Sequence, residues 1–185
     1  MSKIDLKNIS HSYNPNDLNP TYALNPFSMT WENGKRYAIL GPSGCGKTTM
    51  LNIVSGLVRP SAGNILFDDK DVTNLKTESR NIAQVFQFPV IYNTMTVYEN
   101  LAFPLKCRDF LKDKIEERVN SVADTLNLKS FLNSPARKLT ADQKQLISLG
   151  RGLVREDVAA VLMDEPLTVI AVSYTHLTLP TTPYV

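Results

Sequence analysis

The sequence predicts an α/β protein, and three observations carry that expectation. A short apolar run, Tyr37-Ala38-Ile39-Leu40, leads into the glycine-rich loop Gly41-Pro42-Ser43-Gly44-Cys45-Gly46-Lys47-Thr48-Thr49, which fits G-x-x-x-x-G-K-[ST] at every position. A second apolar run, Val158 to Met163, ends abruptly in Asp164-Glu165-Pro166. Between the two, from about Phe88 to Gly150, the apolar residues fall at helical spacing. Strand, loop and helix in that order suit phosphate binding. Glycines let backbone N–H groups turn inward as an anion nest, and the following helix directs its positive dipole end at the anion. Lys47 is placed to reach the β/γ-phosphates and the Thr48 hydroxyl to hold Mg²⁺.

The whole chain sets bounds on this reading. At 185 residues it is about one domain, long enough for a hydrophobic core. Apolar content of 43% and charged content of 21% are ordinary for a globular protein. A net charge of +2 without a basic cluster gives no expectation of nucleic acid as a partner. No apolar run approaches the roughly 18 residues needed to span a bilayer, and Met1-Ser2-Lys3-Ile4-Asp5 lacks an apolar signal region. The two cysteines, Cys45 and Cys107, read as reduced thiols of a cytoplasmic protein, because a disulfide at Cys45 would distort the loop. Any membrane link is therefore expected to run through a partner.

Taken in order, Lys3 to Tyr13 alternates as a strand and Asn14-Pro15-Asn16-Asp17 breaks it. Tyr13 by itself reads as a core or strand aromatic. A second strand is expected through Phe27-Ser28-Met29-Thr30-Trp31, turned by Asn33-Gly34 into a strand over Tyr37 to Leu40. Lys47 to Ser55 is a helix with Met50, Leu51 and Val54 on one side, and Gly56 is its C-cap. After a loop from Arg59 to Gly63, strands are expected at Asn64 to Asp68 and at Ile82 to Phe86, the latter ending at Gln87. Lys112 to Leu126 places Ile115, Val119, Val122, Ala123 and Leu126 on one helical face, and Ser134-Pro135 closes that helical unit. Thr140 with Gln143 fits a capping box opening a helix that carries Leu146, Leu149 and Leu153. Val158 to Met163 reads as a buried parallel strand whose carboxyl end presents ligand residues; the plainer reading of Asp164 and Glu165 is a solvated strand end.

In this order and spacing, the chain resembles the ATPase subunit of ABC transporters, nearest to the sugar and polyol importers. The resemblance covers Lys3 to Ile170 and rests on Gly41 to Thr49, Gln84 to Pro89, Thr96 to Asn100, Leu139 to Gln143, Ser148 to Gly152 and Leu162 to Pro166. It implies a P-loop NTPase fold of the ABC ATPase type: a parallel core sheet flanked by helices, an N-terminal antiparallel β subdomain and a helical insert over about 88–150. It implies ATP and Mg²⁺ as ligands. By position, Tyr13 resembles the aromatic residue that stacks on adenine, and Gln87 the Q-loop glutamine that reaches Mg²⁺ and the attacking water. Asp164 resembles the Walker B carboxylate and Glu165 the general base, a role a carboxylate suits by accepting a proton from in-line water. Membrane permease subunits and a second ATPase subunit are the implied partners, at the cytoplasmic side of the membrane. Paired cassettes or long coiled-coil insertions of soluble ABC proteins are not seen, nor is the Asn-Lys-x-Asp motif of a GTPase.

Two departures from the family pattern stand out. Where the family has Leu-Ser-Gly-Gly-Gln, this chain has Leu139-Thr140-Ala141-Asp142-Gln143. In an assembled dimer that segment faces the γ-phosphate bound by the other subunit, so Ala141 takes room and Asp142 brings negative charge, unless it turns to the first-turn N–H groups. The variant leads us to expect a heterodimer with unequal composite sites; the alternative is a regulatory subunit that binds nucleotide with little hydrolysis, against which the intact Glu165 argues. The second departure follows Leu167-Thr168-Val169-Ile170, where Ala171 replaces the D-loop aspartate. Val172 to Thr181 matches the translation of a transposon-type sequencing adaptor codon for codon. We therefore expect a partial ATPase domain over 1–170, incomplete at its C-terminus, and a non-native tail over 171–185 in which His176 is no switch histidine. A chain lacking the central strand of the family sheet is expected to be unstable or inactive.

Overall fold

The computed structural model describes residues 1–166. The expectations for Leu167 to Val185, including the tail and His176, lie outside the described residues. Two compact units emerge, one from Met1–Gln84 with Glu156–Asp164, the other from Val85–Arg155 with the chain from Glu165 onward.

The first unit is built on a four-stranded antiparallel sheet ordered β2-β1-β3-β4, with β1 at Ile4–Ser12, β2 at Tyr22–Trp31, β3 at Ala62–Phe67 and β4 at Lys70–Asp71. Strand β1 lies inside the sheet, pairing Ile4 with Trp31 on one side and with Phe67 on the other. Register slips between Lys7 and Ser10, where Asn8 takes a left-handed φ of 50° and donates its N–H to Ser28 Oγ at 2.9 Å. Opposite this bulge Gly63 has φ 90°, and a Cβ there would stand 2.4 Å from the Asn8 carbonyl oxygen. Only glycine fits so close a backbone approach.

Helix α1, Lys47–Ser55, matches the predicted span, and Gly56 caps it in the left-handed conformation. Its buried side is Met50, Leu51, Ile53 and Val54, which join Ile4, Leu6, Ile9, Trp31, Ile65 and Leu162 in one core. Arg80, 3% exposed, closes the far end of the helix. Its guanidinium donates to the carbonyls of Ile53 and Val54, the last turn of α1, and to those of Thr73 and Leu75. Burial pushes the Arg80 pKa down and nearby Asp71 opposes the shift. A second sheet pairs β5, Ile82–Val85, with β6, Ala160–Met163.

Two expectations fail here. Tyr37 to Leu40 forms no strand; Leu40 is 90% exposed and Tyr37 49%. The Asn33-Gly34 turn does form, with Gly34 at φ 73°, yet no other described strand pairs with the residues beyond it. A strand of four apolar residues is stabilised by its ladder and same-face neighbours, not by propensity alone. The run Val158 to Met163 is also shorter as a strand and less buried than expected. Leu162 is buried but Met163 is 42% exposed, because β5 is the one neighbour β6 has among the described residues. The predicted parallel core sheet is thus represented among the described residues by two strands.

The second unit is helical. Helices α2 (Val97–Lys106), α3 (Lys112–Thr125) and α4 (Ala141–Leu153) enclose their own core, in which Val97, Leu101, Val119, Leu128, Ala136, Ile147 and Val154 are fully buried. The face predicted for α3 is the buried one, with Leu126 half-buried just past its end. On α4 the buried side is Gln145, Ile147, Ser148, Gly150 and Gly152, whereas Leu146, Leu149 and Leu153 are half-buried. Small residues face inward because helices pack closely there: a Cβ on Gly150 would stand 2.6 Å from a Leu101 methyl.

Candidate nucleotide site

In the first unit the phosphate loop runs into α1 with the geometry that its glycines allow. Gly44 and Gly46 have φ 79° and 93°. A Cβ at Gly46 would stand 2.5 Å from the Ala23 carbonyl oxygen, while one at Gly44 would meet nothing within 4 Å. The loop is therefore packed from behind at Gly46 and open at Gly44. Helix α1 starts without a side-chain cap and with no acidic residue in its first turn. Its first N–H groups, which no helix can satisfy internally, thus face no competing side-chain acceptor, the arrangement an anion requires.

The Lys47 ammonium folds back on the loop, donating to the carbonyls of Gly41 at 2.8 Å and Pro42 at 2.9 Å, with Cys45 Sγ 3.9 Å away. Ser43, Gly44 and Cys45 are exposed, as are Gly41, Pro42 and Thr48, and Thr49 is half-buried. Tyr13 is 65% exposed, which settles against the core reading of that residue. Its hydroxyl lies 3.1 Å from Thr49 Oγ1, and its ring meets the His11 ring edge-on with centroids 4.5 Å apart. Asp164, 8% exposed, sits just after the carboxyl end of β6. No group of three His, Cys, Asp or Glu side chains among the described residues could hold a metal unaided.

In the second unit Gln87 follows β5 and is half-buried, and Glu165 is exposed at a left-handed φ of 45°. Gln145, fully buried on α4, ties the chain beside these two together. Its Nε2 donates to the Phe86 carbonyl at 3.2 Å and to the Pro166 carbonyl at 2.9 Å. The segment Leu139 to Gln143 opens α4 through the predicted capping box. Thr140 Oγ1 accepts from the Gln143 N–H at 3.3 Å and Gln143 Oε1 accepts from the Thr140 N–H at 3.1 Å. Leu139 packs against the helical core, while Thr140 and Ala141 are exposed. Asp142 stands in the first helical turn, where negative charge complements the dipole. Sequence reading passed over His11, Arg80 and Gln145. The available signal was a polar residue at a position where the strand or helix pattern faces inward.

A glycine-turned phosphate loop running into α1, in a unit built on an antiparallel sheet, defines a P-loop nucleotide-binding protein. The ABC transporter family profile matches residues 24–168, and the chain belongs to that family. It is 40% identical over 168 residues to the sn-glycerol-3-phosphate import ATP-binding protein UgpC 3 of Agrobacterium fabrum, covering 91% of this chain and 46% of the relative. It is 43% identical over 152 residues to the trehalose/maltose import ATP-binding protein MalK of Thermococcus litoralis, covering 79% of this chain and 41% of that one. The chain thus spans less than half the length of these curated relatives. Among solved structures, the dimeric bacterial ABC transporter cassette MJ0796 superposes with a TM-score of 0.79 at 26% identity, covering 90% of this chain and 75% of that one. The same cassette in a post-hydrolysis state bound to ADP and Pi gives a TM-score of 0.78.

Proposed function

We propose that this chain is the ATP-binding and ATP-hydrolysing part of an importer of carbohydrate- or polyol-class solutes, docked on permease subunits at the cytoplasmic side of the membrane. The observation that carries the reading is the phosphate loop: an open, glycine-turned cradle, an uncapped helix start free of acidic residues, and a lysine already bent over it. The solute class rests on the relatives' names alone.

In this reading the loop N–H groups and Lys47 hold the β- and γ-phosphates, the lysine exchanging its carbonyl partners for phosphate oxygens. Tyr13 stacks under the base. Mg²⁺ would be held by the Thr48 hydroxyl, with Asp164 and Gln87 ordering its shell, and would neutralise charge on the phosphates. Glu165 accepts a proton from the attacking water. Leu139 to Gln143 faces the nucleotide of a second ATPase subunit, and Asp142 favours a non-identical partner with unequal sites. Equal turnover at both sites of a purified complex would contradict that last point.

The test is steady-state hydrolysis by the assembled transporter. Glu165→Gln should lower kcat by about a hundredfold or more while ATP still binds, whereas Lys47→Ala should weaken binding itself. Undiminished kcat in Glu165→Gln would remove Glu165 from its assigned role. The same reading takes 1–170 as the ATPase domain and 171–185 as foreign sequence, supported by the adaptor match. Genomic sequencing of the locus tests this, and an authentic reading frame encoding Val172 to Thr181 would contradict it.

A further inference from the structure

The Tyr13 ring is held at two points in the first unit, by His11 and by Thr49. Against it stands the His11 imidazole, 7% exposed, nearly perpendicular at 88° with ring centroids 4.5 Å apart. Perpendicular contact of this kind fixes the plane of a ring rather than merely covering it. His11 is fixed in turn. Its Nδ1 lies 3.4 Å from Ser61 Oγ, and that hydroxyl also accepts the Ser12 N–H at 3.1 Å. The other ring nitrogen, Nε2, is buried without a hydrogen-bond partner in the structure. A buried polar ring that leaves one nitrogen unmatched is a costly filler for an aromatic wall, so a role beyond packing is the economical account.

At the tip of Tyr13, the hydroxyl lies 3.1 Å from Thr49 Oγ1, the third residue of α1 and the last of the phosphate loop motif. Most of the ring is nevertheless open, at 65% exposure for the residue. A solvent-facing tyrosine held by a perpendicular ring and at its hydroxyl has little rotamer freedom left to lose when something stacks on it.

We propose that His11 and Thr49 are positioning residues that pre-orient Tyr13 as a base-stacking platform and set it at a fixed distance from the phosphate loop. This rests on the reading of Tyr13 as the base platform given above. The clamp acts on the part of affinity that depends on the base, not on the part that depends on phosphate. With Tyr13 donating its O–H, the Thr49 hydroxyl keeps its own proton for a loop ligand, so base platform and phosphate loop become one preorganised element.

The experiment measures dissociation constants for MgATP and for Mg-tripolyphosphate on the full chain and compares their ratio among variants. The ratio is insensitive to the fraction of protein that folds, since both ligands are read on the same sample. His11→Ala should reduce the preference for ATP over tripolyphosphate by about three- to tenfold, and Tyr13→Ala by about tenfold or more, the scale of one base–aromatic stack. Tyr13→Phe, which keeps the ring and loses the hydroxyl anchor, should fall between wild type and Tyr13→Ala. His11→Phe, which retains an aromatic ring, should restore most of the preference. If Tyr13→Ala lowers the ratio and His11→Ala leaves it unchanged, the clamp is wrong while the base platform stands. If Tyr13→Ala leaves the ratio unchanged, the base platform itself is wrong and the clamp falls with it.

Discussion

Arg80 and Gln145 show how single buried polar side chains hold the two units in shape by the same means, amino groups aimed at backbone carbonyls. Four carbonyl oxygens accept from Arg80, two of them in the last turn of α1. Arg80→Met would remove that donor, with the Ile53 carbonyl keeping the Gly56 N–H, and each buried loss costs about 1–3 kcal/mol. We expect a total loss of roughly 2–5 kcal/mol, read as a lower urea midpoint. A midpoint within error of wild type would show that water replaces the guanidinium. Gln145→Leu should behave alike in the helical unit, through the carbonyls of Phe86 and Pro166, at about 1–3 kcal/mol. Gly46 sets a different limit. An alanine there meets both a left-handed φ and the Ala23 carbonyl at 2.5 Å, so Gly46→Ala should destabilise by about 1–3 kcal/mol and distort the loop.

Among the elements, helix starts carry the clearest logic. Thr96 with Glu99 and Thr140 with Gln143 both form complete capping boxes. Thr140→Ala should cost about 1 kcal/mol by removing the acceptor of the Gln143 N–H. The C-terminus of α4 is tied by Arg118, which donates to the carbonyls of Leu153 at 2.9 Å and Val154 at 3.1 Å. Hydrogen bonds from Thr96 hold the Glu99 carboxyl below its ordinary pKa. Asp5 is lowered first by Thr30 and then by Lys3, and Asp71 by Thr73. A depressed folded-state pKa means the unfolded chain binds more protons in acid. These groups therefore stabilise the fold above the unfolded carboxylate range of about 4, and the stabilisation is lost as pH falls through the lower folded values. Melting temperatures should be flat near neutrality and fall below about pH 4.5, and a flat profile to pH 2 would contradict this.

What could be read from sequence divides along the same line. Helices α1, α3 and α4 were legible because their signals are local: a helical apolar period, a capping box, a glycine C-cap. The register bulge at Asn8 and the strand status of Tyr37 to Leu40 were not, because both depend on which chain lies alongside. The phosphate loop was legible residue by residue. His11 and Gln145 were not, since their partners lie far away in the chain, as with Gln145 and Phe86, or in side-chain geometry, as with the two rings.

At the scale of the molecule, each unit encloses its own hydrophobic core, one on the sheet and α1, the other among α2, α3 and α4. Cores of this kind can melt separately, and ligand binding to one unit stabilises that unit first. Every role assigned to the site depends on the loop from Gly41 to Thr49 binding nucleotide phosphates. The measurement that tests it most directly is the thermal shift of the purified chain with MgATP, run beside Lys47→Ala. A melting temperature that rises with MgATP concentration in wild type, and does not rise in Lys47→Ala, is the predicted result. A cooperative melt that MgATP leaves unmoved at millimolar concentration would contradict the claim.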